Sequence, residues 1–114
     1  MQTELVDRAR RGDREAFGVL AGGAVDRLYG IARLLLRDTE LAEDATQDAL
    51  VRTWRDLSTL RDVERFDAWL YRLLVRSCTD IVVIEHIRGR PIVEVLRDGV
   101  LGIEGVERLI YRPD

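Results

Sequence analysis

The chain has 114 residues, 46% of them apolar and 34% charged, which is enough for one compact domain or a smaller domain plus an appendage and argues against disorder. Its formal net charge of −3 argues against nucleic-acid binding driven by bulk charge and leaves room only for a local basic stripe. No apolar run approaches the ~20 residues of a membrane span and the N-terminus has no apolar leader, so the expected location is cytoplasmic, with no membrane partner. Taken from the N-terminus, Thr3 is placed to cap a short helix through Leu5, Val6 and Ala9 that stops at Gly12. Asp13 then caps a second helix, with Glu15 in its first turn. Phe17, Leu20, Ala24, Leu28, Ile31 and Leu35 recur at the spacing of a core stripe. Gly18, Gly22, Gly23 and Gly30 interrupt that helix, each at a cost of about 1 kcal/mol relative to Ala, and a bend or break is expected at Ala21–Gly23.

Asp38 and Thr39 supply the turn and cap for a third helix over about 40–57. One face of it carries Ala45, Ala49, Leu50, Thr53 and Trp54, the composition of a core stripe. The other carries Asp44, Gln47, Asp48 and Val51, spaced i, i+3, i+4, i+7. Spacing alone leaves open whether that second stripe is merely solvated. The polar connection "LSTLRDVER" leads into a fourth helix from Val63 or Phe66, with Phe66, Trp69, Leu70, Leu73 and Ser77 on one side and Arg65, Arg72 and Arg76 on another.

The helical pattern is clear as far as Asp80. Beyond it the chain turns rich in Ile, Val and Gly, with turn signals at Gly89-Arg90-Pro91, Asp98-Gly99 and Glu104-Gly105 that read as a small β-meander. The run Ile81–Ile84 fits either a strand or a prolongation of the fourth helix. The expected fold is therefore mainly α, a bundle of three to four helices (residues 1–80), followed by a short β-rich hairpin or meander (residues 81–114). Packing of that extension on the helices or across a dimer would bury Ile84, Ile92, Val95, Ile103 and Ile110.

Chemistry in the catalytic sense has little footing. There is one His and one Cys, and no glycine-rich phosphate loop joins a strand to a helix. His86 falls in the expected strand region and reads as structural or surface; Cys78 reads as a small core or surface residue. Glu43, Asp44 and Asp48 lack the His partners of a metal site. No cofactor and no enzymatic activity are expected. All eighteen basic residues are Arg, a type suited to bidentate phosphate and base contacts.

Three stretches, "LVDRARRGDREAFGVL", "DRLYGIARLLLRDTELAEDATQDALVRTWRDLSTL" and "RFDAWLYRLL", together resemble region 2 of bacterial sigma factors, most nearly the compact extracytoplasmic-function group of the sigma-70 family. The resemblance covers about residues 4–80 in order. It rests on Arg27-Leu28-Tyr29, Ala42-Glu43-Asp44-Ala45, Gln47, Trp54 and Ala68-Trp69-Leu70. It implies a helical domain whose third helix docks on the clamp coiled coil of core RNA polymerase through Asp44, Gln47, Asp48 and Val51, with Arg52 and Asp56 at the edge. It further implies −10 promoter DNA as a second partner. The loop Leu57–Arg65 would capture an extruded base, and Arg65, Trp69, Arg72 and Arg76 would hold the single strand.

Residues 81–114 do not match the family. "IVVIEHI" stands where the Arg-rich continuation would be, and six acidic and five basic side chains there do not replace it. Nor do 114 residues leave room for the family's second DNA-reading domain. A sigma-derived regulator using the extension for another partner or for a homodimer, a partial or altered gene product, and an engineered fusion are the competing accounts. The alternative function is a protein-interaction or oligomerisation module that reuses the helical scaffold without promoter recognition; a small-molecule sensor with a pocket between helices and extension is a third.

Overall fold

A computed structural model describes residues 2–87 of the chain. They form four α-helices, α1 (Gln2–Arg10), α2 (Arg14–Leu36), α3 (Thr39–Asp56) and α4 (Phe66–Ile87), with two 3₁₀ turns, Leu57–Thr59 and Val63–Arg65, between α3 and α4. The fold is thus mainly helical, and no strand occurs among the described residues. Of the β-rich extension expected over residues 81–114, residues 88–114, and the homodimer expected through the extension, lie outside the described residues.

The helix boundaries follow from local chemistry. α1 stops where Gly12 takes φ +100°, a left-handed conformation that a glycine adopts without steric penalty. Asp13 caps α2 by accepting the Ala16 N–H on Oδ1 at 3.1 Å. α2 ends on Arg37, which takes the left-handed conformation itself (φ 55°) and donates its N–H to the Arg33 carbonyl at 2.9 Å. Asp38 then accepts the Leu41 N–H at 2.9 Å and opens α3. Thr3 does not cap α1, because the helix begins at Gln2 and already contains it.

The core collects Val6 and Ala9 of α1, Leu20, Ala24, Leu28, Ala32, Leu35 and Leu36 of α2, and Leu70, Leu74, Cys78 and Val82 of α4 around the small face of α3. That face is Ala42, Ala45, Thr46, Ala49 and Thr53, all buried. Small side chains let α2 and α4 approach the α3 backbone closely, and α3 packs against both. The buried Thr46 and Thr53 hydroxyls donate to the Ala42 and Ala49 carbonyls at 2.7 Å, so neither is left without a partner.

Three expectations change. α2 runs unbroken through Ala21–Gly23, because its buried stripe Leu20, Ala24 and Leu28 continues in register across the glycines and tertiary packing outweighs their low helix propensity. α4 continues past Asp80 to Ile87, with Val82 and Glu85 buried at helical spacing, so 81–87 belong to the helix rather than to a strand. His86 is accordingly an exposed helical residue, and Ile84 is 47% exposed rather than packed on the helices of its own chain. A run of β-branched residues favours strand locally, but burial of one helical face decides the outcome. No helix among the described residues is long and apolar enough to cross a membrane.

Candidate docking face and nucleic-acid strip

Two surfaces gather the residues singled out from the sequence. The first is the outward face of α3. Asp44 and Gln47 are exposed, Val51 is 64% exposed and Asp48 is half-buried. Ala42, Ala45, Ala49 and Thr53 face the core on the opposite side, which fixes the rotation of α3 and turns these four outward. Arg52 is the most enclosed of the set. Its Nε lies 2.9 Å from Asp48 Oδ2 in an ion pair and its Nη2 donates to Asp80 Oδ2 of α4 at 2.5 Å, and only 23% of the side chain is exposed. Asp56, at the edge, accepts both arms of Arg55 at 2.9 Å, and that pairing holds its carboxyl below the ordinary value.

Trp54 departs from the expected core stripe. It is 37% exposed, and its ring meets that of Phe17 in α2 with centroids 5.0 Å apart and planes tilted by 55°. Phe17, Leu50, Val51 and Trp54, with Arg14 at the rim, line an open apolar groove of about 410 Å³ beside the polar stripe. Sequence reading missed this groove because Phe17, Leu50 and Trp54 share the spacing of core residues; which of them sit at the end of a helix–helix seam depends on the crossing of α2 and α3.

The second surface lies between the 3₁₀ turns and α4. Leu60, Arg61, Asp62, Arg65, Ala68, Trp69 and Arg72 line a concavity of about 200 Å³. Trp69 is partly buried, with its ring 6.3 Å from that of Phe66, and still borders this space. Arg65, Arg72 and Arg76 are exposed. Arg65, Trp69 and Arg72 therefore come together with the loop, whereas Arg76 sits a turn further along α4, outside the concavity. The loop is anchored from behind: Arg10 donates to the Leu60 carbonyl at 3.0 Å while holding Asp7. Sequence inspection gave no sign of that anchor, which joins residues fifty positions apart.

The remaining reactive groups are elsewhere. Cys78 is buried in the core, where desolvation pushes its thiol up to about 12. No group of three or more potential metal ligands occurs among the described residues.

Among the described residues the chain is a four-helix unit with an acidic, amide-bearing outer face on α3 and an Arg–Trp strip on α4. The model of sigma-70 region 2 matches residues 24–90, more than half of the chain. The chain belongs to the sigma-70 region 2 family. It is 31% identical over 87 residues to the RNA polymerase sigma-H factor of Pseudomonas aeruginosa, covering 76% of this chain and 44% of that protein. To the ECF RNA polymerase sigma factor SigM of Mycobacterium tuberculosis it is 36% identical over 77 residues, 68% of this chain and 39% of that one. The ECF RNA polymerase sigma factor SigW of Bacillus subtilis aligns over 106 residues at 26% identity, 93% of this chain and 54% of that one. The chain thus spans about half or less of the length of these curated relatives.

Proposed function

We propose that this chain acts in transcription initiation as a non-enzymatic sigma region-2 domain that docks on core RNA polymerase through the outer face of α3. The carrying observation is that Asp44, Gln47 and Val51 stand exposed, with Asp48 beside them, on a helix whose other side is wholly committed to the core. Carboxylates and an amide around one exposed apolar side chain suit a basic, helical partner surface. Charge complementarity speeds and orients the encounter, and the apolar contact slows dissociation. The adjoining Phe17–Trp54 groove enlarges the apolar part of that surface.

Within the same proposal, the strip on α4 holds single-stranded −10 promoter DNA. Trp69 borders a concavity of about 200 Å³, and Arg65, Arg72 and Arg76 offer phosphate contacts along one side of the helix.

Equilibrium binding of the chain to purified core RNA polymerase tests the first claim. The parent chain is expected to bind, and simultaneous replacement of Asp44, Gln47 and Asp48 by Ala to abolish most of that binding. A parent chain that does not bind refutes the reading, and an unimpaired variant refutes the mapped face. For the strip, fluorescence anisotropy with a single-stranded −10 oligonucleotide is expected to weaken with salt. Loss of Arg72 and Arg76 should flatten the log–log salt slope by about 0.7 per phosphate contact removed. A slope indifferent to both changes counts against the DNA face.

A further inference from the structure

Arg52 links the outer face of α3 to the far end of the α4 strip. Asp48 precedes it by one helical turn, the favourable acid-before-base order for an i,i+4 pair, and the two are joined at 2.9 Å. Its planar fork reaches across to α4 with another nitrogen and holds Asp80 at 2.5 Å. Asp80 lies one turn beyond Arg76, at the end of the line that carries Arg65, Trp69, Arg72 and Arg76. A lysine cannot span both carboxylates in this way, because its charge sits at a single point.

Building on the docking reading, we propose that Arg52 is a positioning residue: it presents the Asp48 carboxylate to the polymerase and neutralises Asp80 at the end of the nucleic-acid strip, so that one guanidinium serves both surfaces. Arg52 makes no polymerase contact of its own. Its side chain is three-quarters covered and two of its nitrogens are already committed to carboxylates, so a direct contact would first have to break one of those pairs. Asp48, by contrast, is held through Oδ2 and remains 43% exposed; a carboxylate has lone pairs enough to accept a partner's cation as well. The bridge restricts the rotamers of Asp48, which lowers the entropy lost when a partner engages it. On the other surface, an unpaired Asp80 would stand beside Arg76 and repel the phosphate that Arg76 attracts. Pairing with Arg52 removes that repulsion without an added cation on α4.

A double-mutant cycle on the full chain tests this, with affinity for core RNA polymerase and for a single-stranded oligonucleotide measured on the same proteins. Arg52→Ala is expected to weaken polymerase binding about fivefold, the scale of one partly screened ion pair. The same change added to Asp48→Ala is expected to cost nothing further. An undiminished loss in the Asp48→Ala background means that Arg52 contacts the polymerase directly and overturns the proposal; so does the absence of any loss from Arg52→Ala alone. Oligonucleotide affinity should fall in Arg52→Ala and recover in Arg52→Ala/Asp80→Asn, while polymerase affinity does not recover. A purely structural bridge would move both affinities together with the thermal midpoint, and that pattern also overturns the proposal. Arg52→Met keeps the aliphatic stem over the α3–α4 seam and stands in if the alanine variant unfolds. A parent chain that fails to bind polymerase is a different outcome, which removes the docking reading itself.

Discussion

Asp13 carries two jobs on one carboxylate. It accepts the Ala16 N–H at the start of α2 and both the Nε and Nη2 of Arg8 at 3.0 and 2.8 Å, closing the α1–α2 corner. The backbone hydrogen bond, followed by Arg8, holds its carboxyl below the ordinary value of 3.8. A carboxyl depressed in the folded state stabilises the fold above the unfolded pKa, and that contribution disappears as the pH falls through the folded one. The stability of the parent chain is therefore expected to decline below about pH 4 in part through Asp13. Asp13→Asn keeps the capping oxygen and removes the titration, so thermal midpoints of variant and parent should converge as the pH is lowered from 5 towards 2. Midpoints that keep a constant offset over that range would show that the corner does not depend on this charge.

At the scale of the helices, the caps and stripes were legible in the residues. Asp13, Asp38, the Gly12 stop and the apolar spacing of α2 are local signals, and the structure uses each of them. The orientation of α3 was legible through Ala45, Ala49 and Thr53, which are buried, although of the two read with them Leu50 is only partly buried and Trp54 is exposed. Signals that compete with tertiary packing were less plain: the glycines of α2 suggested a bend or break and the Ile-Val run after Asp80 left strand and helix both open, and in both places the helix continues along a buried face. Trp54 and the groove beside it needed the α2–α3 crossing, which no single helix encodes. The unbroken α2 carries its own prediction. Gly22 and Gly23 lie within it at ordinary helical φ, and a Cβ added at either meets nothing within 4 Å. Each substitution, Gly22→Ala or Gly23→Ala, should stabilise the fold by roughly 0.5–1 kcal/mol in urea unfolding. A helix that had to flex at this pair would gain nothing or lose stability.

For the whole molecule, the decisive question is where the helical unit closes. The resemblance in the sequence ran to about residue 80, yet α4 buries Val82 and Glu85 beyond that point, and Ile81 packs against the core. The match to region 2 likewise extends past Asp80, to residue 90. The last turns of α4 thus belong to the same core in which α3 is packed, and Arg52 of α3 reaches Asp80 just before them. Ending the chain after Asp80 would remove Val82, whose full burial contributes about 1.5–3 kcal/mol, together with the packing of Ile81 and the hydrogen bonds of the final turns. A chain ending after Ile87 keeps every described contact. The expectation is a cooperative thermal transition close to the parent's for residues 1–87 and a clearly lower, broader one for residues 1–80, followed by circular dichroism at 222 nm. Equal transitions for the two would place the boundary back at Asp80 and leave the end of α4 without a structural role. If the shorter chain also loses affinity for core RNA polymerase while 1–87 retains it, the end of α4 supports the docking face across the α3–α4 seam, as the Arg52 bridge requires.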